Sequence, residues 1–394
     1  MGYTTSVPVL LIINSGSSSL KFSVNRSDIP LEPQFRGRIT AIGETGQLQI
    51  HDSDGRVMQE QSVSVSDHEQ ALRLLFDWLT KQAGSFEIAV AGHRVVHGGT
   101  RFHQPTLVNQ EVMDYLHSLT TLAPNHQPPS LAGITTLQDL QPGLLQVACF
   151  ATAFHHNLPE VEQRFALPPR PELEAVRRYG FHGLSYEYIA KVLPERIGSA
   201  ARGRVIVAHL GHGASLCAMR ELRSVATTMT FTPLDGIPMG TRSGSIDPAA
   251  VLYLLQQGMP AESISDLLYF KSGLLGVSGL TDDMAELLES EVPPAAQAVE
   301  QFVHQTVRAI GSLSAALQGL DALIFTAGIG EHSVAIREAI CLRCEWLGLE
   351  LDAEANRSGK ACISRPDSPV QAFIIGTDEE RVIAEHTFDI LNKH

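Results

Sequence analysis

The sequence lacks any apolar run that approaches the ~20 residues needed to cross a bilayer. It also lacks the start of a signal peptide, because Met1–Pro8 contains no basic residue and the apolar run that follows is only as long as a strand. These two absences argue against a membrane partner and predict a cytoplasmic protein.

Positive charge is scarce as well. The chain has 29 lysine and arginine residues and 43 aspartate and glutamate residues, which gives a net charge of −14. The lysines and arginines form no cluster in the sequence. This balance argues against nucleic acid or an anionic membrane as a partner. A small anionic substrate would therefore have to be bound by a few individually placed cations.

Cysteine is sparse, with five residues in the chain, and this odd number does not predict a disulfide framework. Cys341 and Cys344 form one C-x-x-C motif in a predicted helix. No second pair accompanies them for zinc, and the surrounding pattern is not thioredoxin-like. We interpret the motif as structural.

The chain does have length enough for two domains with sizeable cores, at 394 residues and 44% hydrophobic composition. Its most informative segment is Val9–Val24, an apolar strand that enters a Gly/Ser turn and leaves by a second strand. The turn offers backbone N–H groups, the hydroxyls of Ser17–Ser19, the Lys21 ammonium and the Asn14 amide. That set suits a phosphate, although Gly/Ser hairpins are commonly structural only. No Walker A motif occurs in the chain.

A second segment of the same kind, Val205–Met219, opens the second half of the chain and predicts a duplicated lobe. Strands alternate with helices elsewhere, which is typical of an α/β protein. The remaining patterns predict a helix over Ser66–Gly84 with a Ser66/Glu69 capping box, strands at Glu87–Ala91, Leu145–Phe150 and Ala322–Thr326, a helix over Gln297–Leu317, a glycine turn at Ala327–Glu331 and a strand and turn at Phe373–Glu379.

Several polar residues on the glycine-rich turns fit phosphoryl transfer, which needs positioning and positive charge more than covalent help. The candidate donors are Lys21, Arg94, Arg242 and His182, and Asn14 with Glu379 would supply oxygen ligands for Mg²⁺. Each has an ordinary structural alternative: a surface ion pair, a hydrogen-bonded histidine or a solvated helix start. Their joint position favours the functional interpretation.

The motifs INSGSSSLK, GHRVVHGG, TAFHHNLP, RRYGFHGLS, AHLGHGAS, TPLDGIPMGTRSGSIDP, LLGVSG, TAGIGEHS and TDEE occur in this order from residue 13 to residue 380. In these motifs the chain resembles the acetokinase family of acetate, propionate and butyrate kinases over its full length. The family is related to actin, hexokinase and the heat-shock ATPases. The resemblance implies two duplicated α/β lobes, 1–150 joined by the C-terminal helix 380–394, and 151–379, with an active-site cleft between them.

The resemblance also implies the reaction acetate + ATP ⇌ acetyl phosphate + ADP with Mg²⁺, or Mn²⁺ in its place, in a homodimer. Asn14 and Glu379 would bind the metal, Arg94 the substrate carboxylate, and His182 with Arg242 the charge on the transferring phosphoryl group. The acyl pocket would contain Val96, Phe181 and Pro233. The nucleotide would contact Lys21, His209, Leu210, Gly211, His212, Gly213, Asp283, Met284, Ala285, Gly328, Ile329, Gly330, Glu331 and His332.

The chain departs from the family pattern at several of these places. Ala151 stands where the FDTAFH motif has a catalytic aspartate. Acetate is already ionised at neutral pH, with a reference pKa near ~4, so that aspartate would orient groups rather than activate the nucleophile. The other departures are His212 and His332 for asparagines, Ala285 for an arginine, Asn125 for an apolar residue of the acyl pocket, Tyr186 for a histidine and Ser245 for an aspartate.

These departures leave alternatives open beside an acetate kinase. One is a propionate or other short-chain acyl kinase. Another is a nucleotide-binding homologue of low activity, since the catalytic aspartate is Ala151 and the nucleotide positions are altered. A third is a kinase with another phosphoryl donor, such as pyrophosphate.

Overall fold

The computed structural model describes residues 7–16, 18–28, 31–81 and 86–393. Ser17 of the predicted turn and Gly84 at the predicted end of a helix lie outside this range. The chain divides into two compact units, which are described separately below. The first unit comprises Met1–Ala153 with Asp378–His394, and the second comprises Phe154–Thr377.

A mixed sheet forms the centre of the first unit, with the strand order β5-β4-β3-β2-β1-β6-β8-β7. The pairs β1–β6 and β6–β8 are parallel, whereas β2 and β3 add to the sheet antiparallel. The strands are β1 (Val7–Ser15), β2 (Leu20–Arg26), β3 (Pro33–Ile39), β4 (Thr45–Asp52), β5 (Val57–Ser64), β6 (Phe86–Val95), β7 (Thr106–Leu107) and β8 (Leu145–Phe150).

The sheet of the second unit repeats this pattern in the order β11-β10-β9-β12-β13. Its pairs β9–β12 and β12–β13 are parallel, and β10 and β11 add antiparallel. The order and directions match those of β3-β2-β1-β6-β8, so the predicted duplicated α/β lobe is confirmed. The strands are β9 (Val205–Leu210), β10 (Ala214–Arg220), β11 (Arg223–Thr227), β12 (Ala322–Thr326) and β13 (Gln371–Ile374).

Helices flank both sheets. In chain order they are α1 (His68–Lys81), α2 (Gln110–Ser118), α3 (Gln127–Leu140), α4 (Glu160–Gln163), α5 (Gly183–Ile197), α6 (Pro248–Gln256), α7 (Ala261–Phe270), α8 (Gly273–Ser278), α9 (Met284–Glu289), α10 (Pro293–Leu317), α11 (Ala327–His332), α12 (Val334–Arg343), α13 (Ala353–Arg357) and α14 (Glu379–Leu391). Within the described residues, no helix is both long enough and apolar enough to span a membrane.

In the first unit, the carboxyl-terminal ends of β1 and β6 lie beside the start of α14. Strand β1 is buried on both faces, as expected for a central strand covered on each side by helices. On one face α14 packs so closely that a Cβ at Gly92 would lie 2.1 Å from Thr387 Oγ1. Because Ile13 pairs with His93 in the parallel register, the next residues, Asn14 and Arg94, reach the same edge of the sheet.

Two predicted elements differ in detail from the structure. The capping box of Ser66 and Glu69 is wrong by one residue, because Asp67 Oδ1 accepts from the Gln70 N–H at 2.9 Å and α1 begins at His68. Its neighbour Ser66 instead donates its N–H to Gln70 Oε1 at 3.1 Å. The strand predicted to end at Ala91 continues to Val95.

The glycine turn predicted at Ala327–Glu331 is also wrong, because these residues form the short helix α11 directly after β12. Ala327 begins it with φ +65°, in the left-handed region that L side chains rarely occupy.

Cys341 and Cys344 are buried free thiols in and just after α12. Burial raises the pKa of Cys344 to about 12, which keeps the thiol protonated and unreactive.

Candidate active site

The first unit brings together Asn14, Arg94, Glu379 and Glu380, here called the Asn14 cluster. Asn14 Nδ2 donates to Glu379 Oε2 at 3.3 Å and to Glu380 Oε1 at 3.2 Å. Arg94 Nε lies 3.7 Å from Glu379 Oε2, and both of these side chains are 15% exposed. Three residues predicted from three distant motifs therefore form one polar group at the edge of the sheet.

Lys21 lies directly across from Asn14 in the antiparallel register of β1 and β2, and its side chain is exposed. Glu380 was missed from the sequence. Burial raises the pKa of the Glu380 carboxyl above its ordinary value, while the nearby Lys21 charge lowers it. A cation added here would offset the cost of burying that carboxylate. The signal available in the sequence was the unbroken run Asp378–Glu380 at the start of a helix.

The donor set of the Asn14 cluster fits Mg²⁺. Its two carboxylates are hard oxygen ligands, and the Asn14 amide, whose nitrogen donates to both carboxylates in this structure, also carries an oxygen that suits Mg²⁺. The ion needs few protein groups because it retains several waters. Among the described residues, no group of three histidine, cysteine, aspartate or glutamate side chains forms a ready-made metal cage. The geometry therefore suits an ion that arrives with its own water or phosphate ligands.

The predicted acyl pocket residue Val96 follows β6 and is buried, and the next residue, His97, contacts the segment that contains Asn125. The Gln127 side chain ties that segment to His97, since Gln127 Oε1 accepts from the His97 N–H at 3.1 Å. Asn125 Nδ2 is buried and has no hydrogen-bond partner among the described residues. Ala151 follows β8, is also buried, and donates its N–H to the Val95 carbonyl at 2.9 Å.

In the second unit, three side chains converge on the glycine turn 211–213 between β9 and β10. A Cβ at Gly213 would lie 3.5 Å from His182 Nε2 and 3.6 Å from Arg242 Nη1. A Cβ at Gly211 would lie 3.9 Å from His209 Nε2. The predicted catalytic residues His182 and Arg242 therefore face the same glycine backbone, which leaves room for a ligand oxygen beside it.

Both histidines are held in place. His182 is the N-cap of α5 with φ +57°, and its ring stacks on His209 at 4.2 Å between centroids and 21° between planes. His182 Nδ1 contacts Ser215 Oγ at 2.8 Å, and His209 Nδ1 contacts Ser185 Oγ at 2.8 Å. The sequence pattern indicates neither serine, because each is brought to its histidine by the fold.

Arg242 is fixed by its own loop. Arg242 Nη1 donates to the Pro233 carbonyl at 3.0 Å. Asp235 closes this loop by accepting from Ser245 Oγ at 2.6 Å and from the Gly236 N–H at 2.8 Å. Ser245, noted as a departure from the family pattern, is thus a partner of Asp235.

Phe181 is a buried residue directly before His182, and its carbonyl is engaged by His155 Nε2 at 2.9 Å. Burial lowers the pKa of His155 to about 4, so that ring is neutral at pH 7. The His155 contact fixes the backbone from which His182 projects. Leu210 is likewise fully buried, as the last residue of β9.

The nucleotide candidates His212 and Asp283 come together at the start of α9. His212 Nε2 lies 2.8 Å from Asp282 Oδ2. Asp283 caps α9 by accepting from the Ala285 N–H at 2.7 Å, Met284 is buried and Ala285 is exposed. Of the three departures at nucleotide positions, His212 thus contacts the residue before the N-cap of α9, and Ala285 lies in the first turn of that helix.

The remaining nucleotide candidates form α11. Glu331 Oε1 accepts from the Ala327 N–H at 2.8 Å and from the Thr377 N–H at 3.3 Å, so its carboxylate is engaged by backbone groups of its own unit. A Cβ at Gly328 would meet no atom within 4 Å, which leaves an open face there. Gly330 is buried beside β12, Ile329 lies between these glycines, and His332 at the end of α11 is exposed.

Comparison with known proteins extends over nearly the whole chain. Residues 9–385 match the sequence model of the acetokinase family. An acetate kinase of Rhodopseudomonas palustris (strain TIE-1) is 49% identical over 390 residues, which cover 96% of this chain and 98% of that protein. The crystal structure of an acetate kinase from Porphyromonas gingivalis has a TM-score of 0.84 at 33% identity and covers 98% and 100% of the two chains. The crystal structure of a propionate kinase from Francisella tularensis subsp. tularensis SCHU S4 has a TM-score of 0.89 at 32% identity, and the match covers 97% of this chain and 99% of that chain.

Proposed function

The chain belongs to the acetokinase family, and on that premise we propose that it reversibly transfers the γ-phosphoryl group of ATP to acetate, forming acetyl phosphate and ADP. It is a kinase whose acceptor is a carboxyl group. The observation that supports the proposal best is the convergence of His182 and Arg242 on Gly213. Because ATP and ADP are its co-substrates, we place the reaction in the cytoplasm.

Arg94 is the proposed ligand of the acetate carboxylate. Its guanidinium is largely buried and already lies 3.7 Å from one carboxylate oxygen, that of Glu379. An arginine fork holds a carboxylate in a fixed orientation, and such positioning supplies much of the rate of an in-line transfer. Acetate needs no general base, because it is ionised at neutral pH.

His182 and Arg242 are the proposed donors to the oxygens of the transferring phosphoryl group. Negative charge spreads over these oxygens in the transition state, and donors that are already in place stabilise it without reorganisation. The glycine turn 211–213 adds backbone N–H groups that suit a phosphate. On the first unit, we assign Lys21 to the phosphates by the same reasoning.

We assign Mg²⁺ to Asn14 and Glu379, with Glu380 as a further ligand that the contacts of Asn14 support. When bound, the ion would neutralise charge on the phosphates. Mn²⁺ takes the same oxygen ligands and would serve as a substitute. Arg94 and Lys21 keep this acidic cluster balanced in the free protein.

Acetate is preferred to propionate as the proposed substrate because the curated relative described above, which is 49% identical over 390 residues, is an acetate kinase. The likeness to a propionate kinase structure keeps the longer acid as the second candidate. One methylene in an apolar pocket changes kcat/KM by ~10–200-fold, which is enough to separate the two acids. The low-activity homologue and the pyrophosphate-dependent kinase gain no support from the contacts of the described residues.

The proposed reaction is tested by trapping acetyl phosphate as its hydroxamate from acetate, ATP and Mg²⁺. We expect hydroxamate to accumulate, EDTA to abolish it and excess Mg²⁺ to restore it. Acetate should exceed propionate in kcat/KM, and pyrophosphate should not replace ATP. Binding of ADP without hydroxamate from any short-chain acid would overturn the kinase proposal, and a higher kcat/KM for propionate would reassign the substrate.

We also propose that the protein is a homodimer in which a second copy covers α6. This helix carries no charged residue and no buried residue, although it is rich in leucine. Leu252 and Tyr253 are 58% and 59% exposed, and Ile246 and Leu255 beside them are also exposed. A contiguous apolar surface of this kind marks a protein interface. An identical copy is the occupant that the family resemblance implies.

The dimer is tested by sedimentation of the wild type and a Leu252→Glu variant. The wild type should sediment at twice the chain mass of 42.8 kDa, and the variant should dissociate at micromolar concentration because the new charge would be buried in the interface. Leu342→Glu is the matched control, since Leu342 is half exposed on α12. A monomeric wild type, or equal behaviour of the two variants, would contradict this interface.

A further inference from the structure

Each of the two stacked histidines of the second unit ends a chain of hydroxyl groups. Tyr186 and Ser215 are in close hydroxyl contact, and Ser215 Oγ lies 2.8 Å from His182 Nδ1. In the other chain, Thr377 Oγ1 donates to Ser185 Oγ at 2.9 Å, and Ser185 Oγ lies 2.8 Å from His209 Nδ1. Both chains meet their histidine at Nδ1, the nitrogen turned away from the glycine turn.

In the first chain of hydroxyl groups, the number of available protons decides which group donates and which accepts. Tyr186 is fully buried, and among the described residues Ser215 is the only hydrogen-bond partner of its hydroxyl. Burial raises the pKa of the Tyr186 hydroxyl well above its usual range, so it keeps its proton. A buried donor without an acceptor is costly, so Tyr186 donates to Ser215. The single proton of Ser215 is then directed to His182.

A nitrogen that accepts a hydrogen bond carries no proton, so the proton of the neutral His182 ring is on Nε2. The second chain of hydroxyl groups places the proton of the neutral His209 ring on Nε2 as well. Ser185 accepts from Thr377 and therefore has its own proton to donate to His209 Nδ1. Both rings then present an Nε2–H group toward the glycine turn 211–213, where Arg242 also points.

From these contacts we infer that Tyr186 and Ser215 are positioning residues that hold His182 in the Nε2–H tautomer, and that Thr377 and Ser185 do the same for His209. The inference rests on the proposed function for its consequence, since only a phosphoryl substrate would use the two N–H groups. A wrong tautomer would present a lone pair to a phosphate oxygen and would repel it. The hydroxyl chains remove that alternative before the substrate binds.

The tautomer is measured directly by ring ¹⁵N NMR of histidine-labelled protein without substrate, at a pH where the ring is neutral. The chain has 16 histidines, so the His182 and His209 signals are assigned by their loss in His182→Gln and His209→Gln. In the wild type we expect a pyridine-like Nδ1 and a pyrrole-like Nε2 on both rings. In Tyr186→Phe the two His182 nitrogen shifts should move toward each other, while those of His209 should not.

Activity gives the second measurement. We expect kcat to fall about threefold in Tyr186→Phe and on the order of 10-fold in Ser215→Ala, below the ~10²–10³-fold cost of removing a donor outright. KM for acetate should not change, because Arg94 is intact. Tyr188→Phe, which removes the same atom from the same helix and takes no part in either chain, is the control.

A pyrrole-like Nδ1 in the wild type, or an unchanged His182 signal in Tyr186→Phe, would overturn the inference. A loss of folding in Ser215→Ala would not remove the test, since Tyr186→Phe keeps the ring and its packing. Absence of acetyl phosphate from the wild type would instead refute the proposed function, and the NMR result would stand apart from it.

Discussion

Replacing Arg242 with alanine is expected to lower kcat by about 10²–10³-fold, the usual cost of removing one pre-positioned donor to a transition-state oxygen. Arg242 faces Gly213 beside His182, and its loop is fixed by the Pro233 carbonyl and by Asp235. Charge grows on the phosphoryl oxygens only as the bonds change. The loss should therefore appear in kcat, with KM for acetate within a few-fold of the wild type.

Two further variants make the Arg242 measurement specific. Arg242→Lys keeps the charge but loses the planar fork, so we expect it to recover only part of the rate. Arg343→Ala removes another arginine of the second unit whose ion pair with Glu300 is exposed, and it should leave kcat unchanged. If Arg242→Ala raised KM for acetate and left kcat intact, Arg242 would be a ground-state ligand and its proposed role would be wrong.

The sequence predicts the central strands of this fold well and the glycine-rich helix α11 poorly. Strands β8 and β12 have the predicted bounds, because each is a short apolar run between turn signals. Two glycines in α11 favour a turn, but contacts from outside the helix override them. The buried Arg337 donates to the carbonyls of Gly330 and Glu331 at 3.0 and 2.8 Å, and these bonds hold the end of the helix.

The residues of the candidate site also differ in how well the sequence predicts them. The sequence predicts the charged residues Lys21, Arg94, His182 and Arg242 because each lies in one of the motifs that follow the family's order along the chain. The hydroxyl partners of the histidines could not, because Thr377 and Ser185 are far apart in the chain and meet only through the fold of the second unit. Local patterns specify which groups carry charge, whereas the groups that orient them depend on tertiary packing.

Replacing Ala151 with aspartate is expected to raise kcat by on the order of 10²-fold, if the carboxylate that the family resemblance places there supplies an oriented charge. Ala151 follows β8 and binds the backbone of Val95, next to Arg94 on the neighbouring strand. The same change should lower the stability, because the position is 1% exposed and a carboxylate there must lose its water. We expect a lower Tm together with the higher kcat, a combination that a purely structural effect would not give.

Ala151→Asn is the matched control, since its side chain has the same shape and no charge. If the gain comes from charge, the asparagine variant should show the lower Tm without the higher kcat. Equal rates in the wild type and both variants would mean that Arg94, Lys21, His182 and Arg242 are sufficient for transfer, and that this chain works without the carboxylate. A gain in both variants would assign the effect to shape at the end of β8. The sign of the change in kcat therefore decides whether the alanine limits the reaction.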